Sequence, residues 1–212
     1  MYHFLTFNFQ FSTFNFQLLM GIPKLAHYYT FQEYLAIDES SELRNEYHDG
    51  SIIAMAGSSK NHNIISGNTF SDLLIKLRGK GKKCTPFISD IRVQILSKNH
   101  YYYPDVVVSC DEADAKNQKW VSSPTLVVEV LSDSTATKDM STKLLSYFQL
   151  PSLEYYMLIA QDAVTIHLYE KTAAGWEVKL FTDKANEILL PKMDISLFVK
   201  DLYEEVSWEE NL

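Results

Sequence analysis

Apolar residues recur at helical spacing in five stretches of the chain. In the first stretch, Thr30 is a candidate N-cap, and Glu33 three residues later completes a capping box. Gly50 and Pro151 mark the predicted ends of the second and fourth stretches, since glycine and proline commonly follow helices. The predicted helices cover residues 31–37, 41–50, 60–79, 134–150 and 195–206.

Other stretches are rich in strand-forming residues, and several alternate apolar and polar positions with a period of two. These predicted strands cover residues 51–56, 87–96, 101–109, 125–132, 154–160, 164–171 and 176–181. Helices and strands are mixed without the strict alternation of a doubly wound sheet. We therefore predict an α/β fold of mixed α+β type.

The first twenty residues differ from the rest of the chain. The motif FNFQ occurs twice there, polar residues interrupt every apolar run, and no Lys or Arg precedes Lys24. Neither a secretory signal nor a membrane-spanning helix has this pattern. We predict that residues 1–20 are a disordered or spurious extension, with a β-prone arm as the alternative, and that residues 21–212 form one domain.

Composition and charge narrow the classes of function. The chain has 212 residues, of which 46% are hydrophobic, and a formal charge of −8. This composition is typical of a globular protein, but the charge gives no general attraction to nucleic acid. The two cysteines, Cys84 and Cys110, have no metal-ligand spacing, so we expect reduced thiols in a cytoplasmic protein without membrane contact.

One local basic segment could still contact phosphate groups. The sequence KLRGKGKK at positions 76–83 contains five of the nineteen Lys and Arg residues and no acid. Lys80, Lys82 and Lys83 are candidate substrate contacts. A solvated turn between helix and strand is an equally open interpretation, because the two glycines of the segment suit a turn.

Two acidic residues occupy strands that otherwise read as buried. Asp105 begins the run DVVV, and Glu129 lies in the middle of TLVVEVLS. If these strands are neighbours, both carboxylates can reach one spot and bind Mg²⁺ or Mn²⁺. The alternative is a pair of buried acids satisfied by hydrogen bonds or by Lys143, which lies on the apolar face of the following helix.

The runs YPDVVV, LVVEVLS, TKDMSTKLLSYF and LEYYMLI resemble the Uma-two family of restriction-endonuclease-like proteins, within the PD-(D/E)xK nuclease superfamily. The resemblance covers residues 28–200 and implies a restriction-endonuclease-like core, a central mixed β-sheet flanked by helices. It implies that Asp105, Glu129 and the carbonyl of Val130 are metal ligands, with Glu46 as an additional metal ligand. The superfamily lysine position is Leu131 here, and Lys143 would replace it.

The resemblance implies a Mg²⁺-dependent endonuclease acting on DNA, with Mn²⁺ as a substitute. A catalytically inactive nuclease-fold protein that binds nucleic acid or a protein partner is the alternative, and a hydrolase of another phosphoester is a third. Superfamily nucleases often act as homodimers, for which the aromatic segment 154–170 is a candidate interface.

Three further residues are candidate substrate contacts. His62 lies at the start of the long predicted helix, where a phosphate could bind, although a structural role is also open. Arg92 and Gln94 fall on one face of a predicted strand. That face either continues the active-site cleft or is the solvent side of a half-buried strand.

Overall fold

The computed structural model describes residues 27–55, 57–78, 84–132 and 136–208. The predicted N-terminal extension and the basic residues Lys80, Lys82 and Lys83 lie outside these residues. The helices are α1 (Phe31–Ser40), α2 (Lys60–Leu77), α3 (Glu112–Lys116), α4 (Ala136–Lys138), α5 (Leu144–Tyr147) and α6 (Val199–Leu202). A π-helical turn, Asp139–Lys143, joins α4 to α5, and we call residues 136–147 the site helix. In these described segments, no helix is both long enough and apolar enough to cross a membrane.

The strands form three sheets. They are β1 (Asn45–His48), β2 (Ser51–Ala54), β3 (Thr85–Ile88), β4 (Arg92–Ile95), β5 (His100–Tyr102), β6 (Val106–Ser109), β7 (Trp120–Val121), β8 (Pro124–Leu131), β9 (Tyr155–Ala160), β10 (Ile166–Thr172), β11 (Gly175–Phe181), β12 (Glu187–Leu190) and β13 (Ile195–Phe198). The largest sheet has the order β11-β10-β9-β8-β6-β3, the second β2-β1-β5-β4-β7, and β12 pairs with β13.

The six-stranded sheet is mixed, and its central strands β6, β8 and β9 are buried on both faces. Its strands β8 and β9 are parallel, whereas its other neighbours are antiparallel. Alternate residues of β8 therefore enter different clusters: Val128 joins the core that contains Ile65 of α2, and Val127 joins the core that contains Tyr147 of the site helix. The structure confirms the predicted α/β architecture of a mixed sheet flanked by helices.

The predicted start of α1 is confirmed in detail. The Thr30 hydroxyl accepts a hydrogen bond from the Glu33 amide at 3.2 Å, and the Glu33 carboxylate accepts one from the Thr30 amide at 2.7 Å. This reciprocal pair satisfies amide groups that have no partner within the helix.

The helix predicted for residues 41–50 is wrong. Residues 45–48 form β1, which pairs with β2 through a two-residue turn at Asp49 and Gly50. Both turn residues have positive φ, 42° and 88°, and this geometry matches the twist of a β-hairpin. Gly50 therefore lies in the turn of a hairpin and does not end a helix.

Three other predicted elements are interrupted. The single strand expected over residues 87–96 is two strands, because the chain turns at Ser89 with a φ of 52°. The strand expected over residues 101–109 is interrupted at residues 103–105, which include Pro104, a residue with no amide to donate to a ladder. The helix expected over residues 195–206 is β13 followed by α6.

The expectation of reduced cysteines is also wrong. Thr85 of β3 lies opposite Ser109 of β6, so Cys84 and Cys110 face each other one position further along the ladder. They form a disulfide across 26 residues of sequence. The two cysteines are distant in sequence, and only the antiparallel pairing of β3 with β6 brings them together.

The predicted dimer segment, residues 154–170, forms two interior strands. β9 lies between β8 and β10, and Tyr155 and Tyr156 are completely buried in the chain's own core. Neither β9 nor β10 has a free edge within the sheet, so neither strand can extend the sheet into a second subunit.

Candidate active site

The two predicted acids come from neighbouring strands, as a shared site requires. β6 and β8 are antiparallel, with Val106 opposite Val128. One further step along this register brings Asp105, the residue before β6, level with Glu129 in β8. The side chain of Glu129 is buried at 4% exposure, whereas that of Asp105 is 13% exposed. Asp105 is therefore the more accessible of the two carboxylates.

Lys143 lies at the centre of a buried charge cluster. Its Nζ is 3.0 Å from Glu129 Oε1, 2.9 Å from Glu46 Oε1 and 3.2 Å from Asp139 Oδ1, and only 6% of its side chain is exposed. The site helix brings Asp139 and Lys143 together because they are one turn apart. Its π-helical turn spans both residues, and such turns are frequent at functional sites.

Glu46 reaches this cluster from β1 and not from a helix. Its Oε2 forms an ion pair with Lys138, and its Oε1 contacts Lys143. Burial is the largest influence on the pKa of Glu46 and raises it. The two ammonium groups outweigh burial, so the pKa lies below its usual range. Both oxygens therefore contact lysine ammonium groups, and the role of Glu46 as a metal ligand stays a prediction.

The pKa of Glu129 is shifted in the opposite direction to that of Glu46. Burial raises its pKa well above the usual range, and the nearby carboxylates of Asp139, Asp105 and Glu46 add to the increase, against the opposing charge of Lys143. The Tyr147 hydroxyl donates a hydrogen bond to Glu129 Oε1 at 3.1 Å. Glu129 is thus held in place by two donors in an environment that carries excess negative charge.

The excess of negative charge around Glu129 follows from a count of the charged groups in the cluster. Three carboxylates, those of Glu46, Glu129 and Asp139, face two ammonium groups, those of Lys138 and Lys143. Burial also raises the cost of every unbalanced charge. An additional proton or cation near Glu129 would stabilise the arrangement.

Asp105 has its own set of partners. Its Oδ2 accepts a hydrogen bond from the Val130 amide at 2.6 Å and lies 3.3 Å from His62 Nε2. Burial lowers the pKa of His62, but the Asp105 carboxylate and a hydrogen bond to the Val130 backbone outweigh it, so the pKa is raised. His62, in the first turn of α2, is therefore part of the site.

The donor set around β8 is compatible with a hard cation. Asp105, Glu129 and the Val130 carbonyl offer oxygen atoms, which Mg²⁺ and Mn²⁺ prefer. Across the described residues, no three or more His, Cys, Asp or Glu side chains are grouped to hold a metal. A metal here would rely on two carboxylates, a backbone oxygen and water.

Two other predicted substrate contacts, Arg92 and Gln94, interact with side chains of the protein itself. Arg92 is buried, with its Nη1 3.3 Å from Asp38 Oδ2, so neither predicted interpretation of its strand face describes it. Gln94 is half-buried; its amide donates to the Tyr101 hydroxyl at 2.7 Å and its carbonyl oxygen accepts from Ser122 at 3.2 Å. Neither residue contacts Asp105 or Glu129 through a recorded hydrogen bond or ion pair.

Sequence reasoning missed several members of the cluster. Asp139 is 2% exposed, and Tyr147 and Lys138 also contact the central acids. Asp139 carried a usable signal, since it precedes Lys143 by four residues and so shares its helix face. Lys138 carried none, because its partner Glu46 lies 92 residues away in sequence.

Comparisons with known proteins agree with this architecture. The model of the Uma2 family, described as "Putative restriction endonuclease", matches residues 31–197. The uncharacterized protein slr1290 of Synechocystis sp. is 35% identical over 186 residues, which are 88% of this chain and 95% of that protein. A second uncharacterized Synechocystis protein, sll1609, is 35% identical over 144 residues, 67% of this chain and 80% of that protein.

A solved structure shares the fold. It is the crystal structure of a protein from Anabaena variabilis, titled "a putative nuclease belonging to DUF820", and it aligns with a TM-score of 0.69 at 19% identity. The alignment covers 82% of this chain and 97% of that one. With a restriction-endonuclease-like fold and a family match over most of its length, this chain belongs to the Uma2 family.

Proposed function

We propose that this protein is a metal-dependent endonuclease that hydrolyses phosphodiester bonds in DNA at a site built on Asp105, Glu129 and Lys143. Membership of a family described as "Putative restriction endonuclease" supports the reaction class. The observation that carries the proposal is the ion pair between the buried lysine Lys143 and Glu129 at 3.0 Å. Glu129 is level with Asp105, which directly precedes the neighbouring strand β6.

Asp105, Glu129 and the Val130 carbonyl would hold a Mg²⁺ ion, for which Mn²⁺ could substitute. Such a cation lowers the pKa of a bound water and offsets charge on the scissile phosphate. It would also compensate the negative excess around Glu129, whose pKa burial raises. Glu46 is left out of this ligand set because both of its oxygens contact lysines.

Lys143 is the proposed replacement for the superfamily lysine. Its ammonium fixes Glu129, and in the proposed reaction it orients the attacking water and offsets developing negative charge. Its pKa is raised: burial lowers it, but the surrounding carboxylates of Glu129, Glu46 and Asp139 outweigh burial. Lys143 is therefore charged at neutral pH and contributes as a cation, not as a general base.

His62 is the proposed residue at the entrance to the site. It contacts Asp105, and its side chain is 14% exposed, similar to that of Asp105. An imidazole in this position can orient the Asp105 carboxylate and donate to a phosphate oxygen of the substrate. Lys80, Lys82 and Lys83 remain predicted phosphate contacts from sequence alone.

One observation favours a second candidate, an inactive nuclease fold that binds nucleic acid. Lys143 is enclosed by three carboxylates. Buried clusters of this kind also occur as purely structural networks. In that case DNA would bind without being cut.

A plasmid-cleavage assay tests the proposal. With Mg²⁺ or Mn²⁺ we expect nicking or linearisation that EDTA abolishes, and a loss of about 100-fold or more in Asp105→Asn and Glu129→Gln. Asp72→Asn is the matched control, since Asp72 is a carboxylate of similar exposure, 17%, in an ion pair with Lys76.

Either of two results would reject the enzyme. Binding of DNA by the wild type without cleavage, in either metal and on single- and double-stranded substrates, would establish the inactive fold. Full cleavage by folded Asp105→Asn would show that the reaction does not use this site.

A further inference from the structure

Strand β11 is the last strand at one end of the six-stranded sheet. It pairs with β10 over seven consecutive residue pairs, from Ile166 opposite Phe181 to Thr172 opposite Gly175. Within the described part of the chain, no strand pairs with its outer edge. An open edge presents a row of hydrogen-bonding groups that can bind another strand.

The other end of this sheet is protected in a way that β11 is not. Strand β3 has only four residues, and Pro86 removes one of its amide donors. β11 has seven residues, contains no proline, and keeps a regular register with β10 throughout. Proteins block such edges with proline, bulges, short strands or charged side chains; of these devices β11 has only the charges of Glu177 and Lys179, which leaves its backbone able to pair with a strand of complementary charge.

The register shows which groups face outward. Only two residues separate Thr172 from Gly175, so this closing pair of the hairpin is hydrogen-bonded. Hydrogen-bonded residues alternate along an antiparallel strand. The amides and carbonyls of Trp176, Val178 and Leu180 therefore point away from β10, toward the open edge.

We propose that two copies of this chain pair antiparallel through β11, with the two-fold axis at Val178. In this register Trp176 lies opposite Leu180 of the partner subunit, and Val178 lies opposite the same residue of the other copy. These are the outward-pointing residues, so each can exchange backbone hydrogen bonds across the axis. The two sheets join into one continuous sheet.

The side chains of β11 are complementary to themselves in this register. Glu177 falls opposite Lys179 of the partner subunit, and the symmetry repeats the ion pair on the other side of the axis. Within one chain, Glu177 lies opposite Glu170, an unfavourable pairing of like charges. Lys179 is 2.7 Å from Glu170, and a second lysine from the other copy would balance Glu177.

Apolar exposure on the opposite face favours the same arrangement. Val178 and Leu180 are 56% and 60% exposed, on the strand face that also carries Trp176. Pairing about Val178 brings these side chains together across the axis. A second copy is the occupant because a two-fold interface requires a surface that complements itself, and the sequence WEVKL does so.

Charge reversal tests this interface without relying on loss of fold. We expect the full-length wild type to run at twice the 24.4 kDa chain mass in light-scattering and sedimentation measurements. Glu177→Lys and Lys179→Glu should each weaken the dimer about tenfold or more, because each replaces both ion pairs by like-charge contacts. Glu187→Lys, at an exposed position of β12, is the control and should stay dimeric.

A mixture of the two single variants gives the decisive result. In a heterodimer, one chain carries lysine at both positions 177 and 179 and the other carries glutamate at both, so every facing pair joins opposite charges. An equimolar mixture should therefore restore dimers, as should the double variant. A monomeric wild type overturns the proposal, as does a wild-type dimer that neither reversal weakens or a mixture that stays monomeric. The inference does not rest on nuclease activity, since all measurements are of mass.

Discussion

Lys143 and Glu129 form an ion pair at 3.0 Å, although both are buried and 14 residues separate them in sequence. The pair connects the central strand β8 with the site helix packed against it. Removing one member of a buried pair leaves an uncompensated charge, which costs more than the net gain from the pair itself. The buried ion pair of the site therefore also contributes to the stability of the fold.

Lys143→Met should destabilise the protein by about 3–5 kcal/mol, because it leaves three buried carboxylates without their shared cation. Urea denaturation followed by circular dichroism measures the change. Adding Glu129→Gln to the same chain should recover part of the loss, since it removes one of the uncompensated charges. Lys76→Met, in an ion pair within α2, should cost under about 1 kcal/mol, and an equal loss in both single variants would contradict the argument.

Divalent cations should stabilise the folded protein if the carboxylates bind them. At a Mn²⁺ concentration about 100 times the dissociation constant, we expect a melting temperature higher by roughly 5–10 °C, and EDTA should reverse the increase. Asp105→Asn should abolish the shift, whereas Asp72→Asn should preserve it. A shift of the same size in Asp105→Asn would place the cation elsewhere.

The protein should lose stability between about pH 10 and pH 12. Burial is the main cause that raises the pKa of Tyr34, Tyr102, Tyr155 and Tyr203 to about 12, from 10 in the unfolded chain. The folded state thus holds these protons more tightly. The stabilisation is complete below pH 10 and is lost as the pH rises through 12.

A pH titration of absorbance at 295 nm, alongside far-ultraviolet circular dichroism, measures this effect. We expect the four buried tyrosines to ionise together with unfolding, above pH 10. Gradual ionisation of every tyrosine near pH 10, with the secondary structure intact, would contradict the prediction.

Reduction of the Cys84–Cys110 disulfide should lower stability by about 3 kcal/mol, the value expected when a loop of 26 residues is released in the unfolded chain. Chemical denaturation with and without a reducing agent measures the difference. Cys84→Ser should show the reduced stability under both conditions. A wild type whose stability is the same in both would mean that the disulfide does not constrain the unfolded state.

The sequence by itself determined most of the elements and the identity of the central acids. The capping box at Thr30 fixed the start of α1, because its hydrogen bonds are local. Glu129 stood out because a carboxylate within an apolar strand needs a partner, and Lys143 because it lies on an apolar helix face. These signals depend only on neighbours within a few positions, so the sequence carries them directly.

Tertiary structure decided which partners these residues have. Glu46 belongs to a strand, and only the packing of β1 near the site helix brings Lys138 within reach of it from 92 positions away. Arg92 and Asp38 form a buried ion pair, and Cys84 forms a disulfide with Cys110 across an antiparallel ladder. Contacts of this kind depend on strand order and register, which local spacing does not encode.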